Sequence, residues 1–217
     1  MNKTVPLIAF ILFCLIDFFG IYLDKQLLVN FAKPMLMITL FWYYYSNAKK
    51  LNKYFVLGLF FSFLGDILLL GDGEMYFVFG LFFFLIAHVF YIIMVLKIIQ
   101  ITKPKEFIIA GVPFLLLFLV LMNVLYAGLG VMKIPVIIYA VTISFFGIVS
   151  LILYLKAKTK ISLLLLVGVL TFIASDTILA LNLFYKKQSF YPLLIMMTYV
   201  LAQYLICRFV LKLNQQS

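Results

Sequence analysis

Histidine and cysteine are scarce in this sequence, and their scarcity excludes several kinds of site. The chain has one histidine, His88, and two cysteines, Cys14 and Cys207. A zinc site built from three imidazoles is therefore excluded, and two cysteines within apolar runs form neither a disulfide framework nor a metal cluster. We expect both cysteines to be packing or lipid-facing residues. No metal and no cofactor are predicted.

The sequence also lacks the common motifs of soluble enzymes. It has no Gly-x-Ser-x-Gly nucleophile elbow, no phosphate-binding loop and no dinucleotide fingerprint. Ser175 and Asp176 are sequence neighbours, so they cannot form a Ser-His-Asp relay by themselves. Any catalytic chemistry must use a different arrangement.

Charge is the third scarcity. Charged residues make up 11% of the chain and hydrophobic residues 67%, in runs close to the ~20 residues that cross a bilayer. Because the hairpins between the runs are short, we predict an all-α integral membrane protein in which residues 1–217 form one helical bundle. The predicted spans are Val5–Tyr22, Leu27–Ser46, Tyr54–Leu70, Met75–Leu96, Phe107–Ala127, Ile134–Leu155, Ile161–Asn182 and Phe190–Lys212.

The basic residues predict the orientation of this bundle. The net charge is +10, but the basic residues stand singly or in threes between apolar runs, which indicates membrane topology and no nucleic-acid partner. Twelve of them, from Lys3 to Lys212, lie on the side of both termini, and five lie on the other side. The positive-inside rule then predicts cytoplasmic termini, in a bacterial inner membrane. Since no small-residue cleavage site follows the apolar N-terminus, we predict a first span there and no removed signal peptide.

Ionisable residues inside the predicted spans are the strongest functional signal, because a charge in hydrocarbon costs ~2.5–3.5 kcal/mol even on the most lenient scale. They are Asp17, Lys33, Asp66, His88 and Asp176. With ~1.5 Å of rise per residue, Asp66 and Asp176 lie roughly 18–22 Å from the cytoplasmic side, in the outer half of the membrane. Tyr199 and Gln203 share one face of the last span. We predict that these groups line one cavity open to the outer half.

Each of these residues also has a purely structural interpretation. Asp17 could simply pair with Lys33, and Lys33 could either extend to the interface or bind a lipid phosphate. His88 could be a packing residue or a pocket wall, and Tyr199 with Gln203 could only join helices through hydrogen bonds. The pair Asp66 and Asp176 is the hardest to explain structurally, because pairing both would need cations that this depth does not supply.

A short internal similarity links the third and seventh spans. Ser62-Phe-Leu-Gly-Asp66 and Phe172-Ile-Ala-Ser-Asp176 each place a small residue before an aspartate, and an apolar run follows. A duplication of four helices would give two parallel halves. It predicts that the two aspartates lie at similar depth.

Several short segments of the predicted spans follow one another in a recognisable order: Lys33-Pro34, Gly65-Asp66-Ile-Leu-Leu, Phe77 to Gly80, Ala87-His88-x-x-Tyr91, Gly168 to Phe172, Ser175-Asp176, Leu179-Ala180, and Tyr199-Val-Leu-Ala202-Gln203. Together these segments resemble the YhhN-like, or lysoplasmalogenase, family of membrane proteins, over nearly the whole chain and in the expected order. A looser match surrounds Tyr139 in the sixth span.

The resemblance implies hydrolysis of the vinyl ether bond of lysoplasmalogens, which are single-tailed lysophospholipids of the membrane. The products are a fatty aldehyde and a glycerophospho-amino alcohol. Such a bond breaks when an acid protonates the outer alkene carbon and water adds to the oxocarbenium ion. A carboxyl in a desolvated site, or beside a second carboxylate, holds its proton more tightly than in water, and glycosidases divide similar work between two carboxyls.

The predicted roles follow from this chemistry. Asp66 and Asp176 are the predicted catalytic pair, with neither assigned as the acid. Lys33 is predicted to meet the lipid phosphate. The other predicted substrate-binding residues are His88, Tyr91, Ser175, Tyr199 and Gln203.

Two rival functions stay open at this point. Intramembrane Asp and His residues also relay protons in transporters, and a parallel four-helix repeat suits a proton-coupled carrier. A non-catalytic lipid-binding protein is the other alternative. Small-residue helix-packing motifs are sparse, so the sequence gives no sign of an oligomer.

Overall fold

The computed structural model describes residues 4–99 and 103–216, and this part of the chain is helical. Lys3, which the orientation prediction counts on the cytoplasmic side, lies outside these residues. The helices are α1 (Val5–Tyr22), α2 (Gln26–Asn47), α3 (Lys53–Leu68), α4 (Glu74–Leu96), α5 (Pro104–Leu125), α6 (Lys133–Ala157), α7 (Lys160–Phe184) and α8 (Tyr191–Gln216), with a 3₁₀ turn at Gly130–Met132. The predicted bundle of about eight helices is confirmed.

Seven of these helices are long and apolar enough to cross a membrane, and α3 is the exception. It has 16 residues, about 24 Å at 1.5 Å per residue, against a hydrocarbon core of about 30 Å. The predicted end of the third span at Leu70 is wrong, because Leu69 and Leu70 continue the apolar run but lie in a turn. The Gly71-Asp72-Gly73 sequence that follows is unfavourable for a helix. Asp66 therefore lies close to a helix end.

Seven helices pack side by side around a closed circuit, in the order α1, α2, α3, α4, α6, α7, α8 and back to α1. Helix α5 lies outside this circuit and packs on α6 and, more weakly, on α7. A salt bridge of 2.9 Å between Lys156 and Glu106 ties α6 to the first turn of α5. At the same end, the Asn214 side chain donates to the Lys50 carbonyl at 2.8 Å, which fixes the end of α8 beside the α2–α3 loop.

The outer surfaces of the helices are apolar, as contact with lipid requires. Helix α5 shows this most clearly, since seven of its large apolar side chains are exposed: Ile108, Ile109, Val112, Leu115, Leu116, Leu119 and Val120. In water such a continuous apolar surface would drive association. The chain is a multi-pass integral membrane protein. Cys14 and Cys207 are free and buried, so both are packing residues.

Candidate active site

A cavity of about 530 Å³ lies between α5 and the helices of the circuit, within the 300–1,000 Å³ or so that is usual for small-molecule sites. It reaches the α3–α4 turn, where Gly71 and Glu74 line it, and the far ends of α5 and α7. These are the ends opposite the α2–α3 loop. The cavity therefore occupies the half of the bundle in which the sequence places both aspartates.

Asp66 forms one polar part of this cavity. It lies in the last turn of α3, its side chain is 2% exposed, and Tyr199 of α8 donates to its Oδ2 at 2.7 Å. Gly65 explains how α3 approaches α4 here, because a Cβ on Gly65 would lie 2.7 Å from the ring of Phe84. The Phe84 ring also meets the Tyr199 ring edge-on at 5.8 Å. The Gly65–Phe84 contact thus holds the Asp66–Tyr199 pair in place.

Asp176 forms the second polar part. It projects from α7, and Tyr139 of α6 donates to its Oδ2 at 2.6 Å. Its neighbour Ser175 donates to the Ile195 carbonyl at 2.9 Å, which fixes α7 against α8. Asp66, Tyr199, Asp176, Tyr139 and Ser175 all line the same cavity.

Lys33 of α2 also lines the cavity, and its charge acts on two carboxyls at more than ion-pair distance, since the described residues form no salt bridge with it. It is half-buried and interacts electrostatically with Asp66 and with Asp17 of α1. Asp17 is completely buried, and neither of its carboxyl oxygens has a hydrogen-bond partner among the described residues. Lys33 thus connects Asp17, which does not line the cavity, to Asp66, which does.

Three of the predicted substrate-binding residues lie behind the cavity wall. The Tyr91 hydroxyl donates to Gln203 Oε1 at 2.9 Å, and Gln203 Nε2 donates to Ser62 Oγ at 3.0 Å, so both residues use their polar atoms within the bundle. The His88 ring packs against Phe172 at 4.6 Å and Tyr139 at 5.5 Å. None of the three is among the described residues that line the cavity. Their arrangement supports Tyr139, through the ring of His88, and joins α4 to α8 and α3.

The remaining wall is apolar, and α5 and α7 contribute most of it. The lining residues of α5 are Leu117, Phe118, Leu121, Met122 and Leu125, those of α7 are Ile173, Leu179, Ala180, Leu183 and Phe184, and Phe77, Leu81 and Ile143 line the cavity from α4 and α6. The cavity therefore combines a small polar centre with walls that fit an alkyl chain. Two acidic side chains, Asp72 and Glu74, stand at its edge. Within residues 4–99 and 103–216, no three His, Cys, Asp or Glu side chains are grouped as a metal site would require.

Tyr139 is the site residue that sequence reasoning missed. Its segment entered only as a loose resemblance, and no role was predicted for it. The chain has 14 tyrosines, so the residue type alone does not distinguish one of them. The available signal was that Tyr139 lies one helix before the intramembrane Asp176, which needs a hydrogen-bond donor.

Comparison with known proteins agrees with the resemblance seen in the sequence. The model of the YhhN family matches residues 28–210, which is most of the chain. The chain belongs to the YhhN family. This family includes lysoplasmalogenase. No curated protein and no solved structure matches the chain. The family match begins after α1, so Asp17 lies outside it, while Lys33, Asp66 and Asp176 lie within it.

Proposed function

We propose that this protein hydrolyses the vinyl ether bond of lysoplasmalogens and that Asp66 and Asp176 are its catalytic pair. The observation that carries the proposal is that two carboxyls line one largely apolar cavity, each with one tyrosine donor. Membership of the YhhN family supports the same reaction. The proposed products are a fatty aldehyde and glycerophosphoethanolamine or glycerophosphocholine.

The reaction begins with the transfer of a proton from one carboxyl to the outer alkene carbon. The oxygen lone pair then forms the oxocarbenium ion, which the other carboxylate stabilises by its charge. Water adds to the cationic carbon and gives up a proton to that carboxylate. The resulting hemiacetal breaks its bond to the glycerol oxygen, which leaves as an alcohol, and the former vinyl carbon becomes the aldehyde. The whole sequence adds one water and needs no redox partner.

The cavity walls suit the proposed substrate. The alkyl chain would lie along the α5 residues, such as Leu117 and Leu121, and the reacting bond would lie between Asp66 and Asp176. Lys33 is the basic residue that lines the cavity among the described residues, so it would meet the phosphate. A lysolipid brings a single alkyl chain into this cavity of about 530 Å³.

The test is aldehyde release from a defined lysoplasmalogen by wild type, Asp66→Asn and Asp176→Asn. We expect each variant to lose at least about 100-fold in rate, since general acid–base catalysis alone contributes about 10²–10⁴-fold. Asp24→Asn is the matched control, because Asp24 lies in the α1–α2 turn at φ +53°, a conformation that asparagine adopts readily.

Near wild-type rates in either correctly folded active-site variant would refute the paired-acid mechanism. A lysolipid with a saturated ether in place of the vinyl ether gives the complementary control and should release no aldehyde. Proton-coupled uptake of a lysolipid by proteoliposomes, without aldehyde, would instead support the transporter alternative.

A further inference from the structure

Asp17 is a buried carboxyl that the proposed reaction does not use. It lies on the one stripe of α1 that faces the bundle, together with Pro6, Phe10, Cys14 and Gly20. Its side chain is 0% exposed, and its oxygens accept no hydrogen bond from residues 4–99 or 103–216. An ionised carboxylate without donors is very unfavourable in such a place, so its charge state depends on what lies beside it.

The register of the α1–α2 hairpin places Lys33 beside Asp17. A Cβ on Gly20 would lie 2.9 Å from Leu28 Cβ and 3.0 Å from Val29 Cγ2, so the two helices touch there. Asp17 precedes Gly20 by three residues along α1, and Lys33 follows Val29 by four residues along α2. In antiparallel helices these steps reach the same level and the same faces. The electrostatic interaction between Asp17 and Lys33 agrees with this placement.

Lys33 is therefore one cation shared by two carboxyls. On its other side it acts on Asp66, which also faces Tyr199 of α8, Tyr91 of α4 and, at longer range, Asp17 itself. Asp66 has a hydroxyl donor to stabilise an anion, whereas Asp17 has none among the described residues. The single cation of the half-buried Lys33 balances one carboxylate, and the carboxyl with a hydroxyl donor is the more favourable one to ionise, so the negative charge belongs on Asp66 and Asp17 is neutral at rest.

Asp176 has no such cation. The polar partner that the structure shows for it is the Tyr139 hydroxyl, and no cation of the described residues acts on Asp176 as Lys33 acts on Asp66. An unpaired charge at membrane depth is unfavourable, so Asp176 keeps its proton. Tyr139 donates to Oδ2, which leaves the proton on Oδ1.

We propose that Lys33 divides the work of the two aspartates: it keeps Asp66 ionised as the counter-charge and base, and Asp176, without a cation, is the proton donor. Asp17 is a positioning residue that shares Lys33 with Asp66 and keeps its own proton through the reaction; only where Asp66 is permanently neutral, as in Asp66→Asn, does Asp17 release its proton to the solvent and pair with Lys33. The catalytic roles rest on the proposed function, whereas the charge states do not.

These roles close the catalytic cycle. The Oδ1–H bond of Asp176 breaks as the alkene electron pair forms the new C–H bond, and Asp176 is left as a carboxylate. The attacking water transfers a proton to Asp66 as its oxygen bonds to carbon. When the hemiacetal collapses, its hydroxyl proton returns to Asp176, and Asp66 gives its proton to the departing glycerol oxygen. Both residues regain their resting states.

Chemical rescue tests the catalytic roles. Formate, a small anion that can replace a lost carboxylate, is added at neutral pH to Asp66→Ala and to Asp176→Ala, and aldehyde release is measured. We expect at least tenfold recovery with Asp66→Ala and none with Asp176→Ala. Rescue of Asp176→Ala alone, or of neither variant while wild type is active, would overturn the assignment. An inactive wild type would instead remove the proposed function, and the charge states then rest on the next measurement.

Infrared spectra of the full chain in lipid membranes test those charge states directly through the C=O stretching bands of protonated carboxyls. Asp176→Asn and Asp17→Asn should each remove one band. Asp66→Asn should also remove a band, although Asp66 itself has none. Lys33 then pairs with Asp17, which loses its proton and with it its C=O band. When Asp17→Asn is already present, adding Asp66→Asn should remove no further band. Lys33→Met should add the Asp66 band.

Asp24→Asn is the spectral control, and unfolding temperatures show which variants are folded. A spectrum in which Asp66→Asn removes no band while Asp17→Asn does would show that Asp17 and Asp66 do not share Lys33. A spectrum in which Asp176→Asn leaves every band in place would show that Asp176 is ionised. Either result overturns the inference, whether or not the protein releases aldehyde.

Discussion

Asp66 and Asp176 line the same cavity and each accepts a hydrogen bond from a tyrosine, but their other neighbours differ. Asp66 interacts electrostatically with Lys33 and lies close to the end of the short helix α3, while Asp176 lies inside α7 and, among the described residues, interacts with no cation. Two carboxyls with the same chemistry can thus hold different charge states because of what surrounds them.

The two tyrosines should differ when their hydroxyls are removed. Tyr199→Phe deletes a hydrogen bond to an ionised Asp66, and such bonds contribute about 1.5–3 kcal/mol, so the rate should fall by roughly 10–100-fold. The measurement is kcat for aldehyde release, with the folded state checked by thermal unfolding. An unchanged kcat would mean that Asp66 does not depend on this donor.

Tyr139→Phe should have the smaller effect of the pair. Its hydroxyl donates to a neutral Asp176, and neutral hydrogen bonds contribute about 0.5–1.5 kcal/mol, or roughly 2–10-fold in rate. The same kinetic assay compares the two variants directly. If Tyr139→Phe proved more damaging than Tyr199→Phe, Asp176 would be the ionised member and the two roles would be reversed.

The apolar wall should affect binding more than chemistry. Leu121→Trp fills part of the cavity and should raise KM several-fold, about 3–10-fold, with little change in kcat, since misfits in apolar pockets act mainly through binding. Leu119→Trp on the same helix is the control, because Leu119 faces outward and is 53% exposed. Equal effects of the two changes would show that the alkyl chain does not lie along this wall of α5.

Ser175→Ala should have the smallest effect. It removes the hydrogen bond to the Ile195 carbonyl and should lower the free energy of unfolding by about 1 kcal/mol, while activity stays within a few-fold of wild type. Thermal unfolding and aldehyde release measure the two quantities separately. A loss as large as that of Asp176→Asn, with stability intact, would make Ser175 a catalytic residue.

The membrane fold and the presence of two aspartates within it were predictable from the sequence, because both depend on composition along the chain. Long apolar runs define the helices, and a carboxyl in hydrocarbon is unusual wherever it occurs. The end of α3 was predicted wrongly because Leu69 and Leu70 are as apolar as the helix before them. Apolarity reports burial in the membrane, whereas the glycines that follow decide where the helix stops.

Side-chain partners between distant helices were much less predictable. Tyr139 and Asp176 are 37 residues apart, and Tyr199 and Asp66 are 133 apart, so their pairing depends on how the helices are arranged. His88 and Gln203 are predicted substrate-binding residues, and neither is among the described residues that line the cavity. The structure packs His88 among aromatic rings and joins Gln203 to Tyr91 and Ser62. Polarity within a span shows that a partner is needed, but not whether the partner is a ligand or a helix.

The most direct test of proton-initiated cleavage is the isotope content of the aldehyde formed from a lysoplasmalogen in D₂O, trapped at once by borohydride reduction. Protonation of the outer alkene carbon predicts one deuterium on the carbon next to the former aldehyde carbon, and Asp176→Asn should form little of this product. Aldehyde formed without deuterium at that carbon, or formed equally well by Asp176→Asn, would contradict the mechanism.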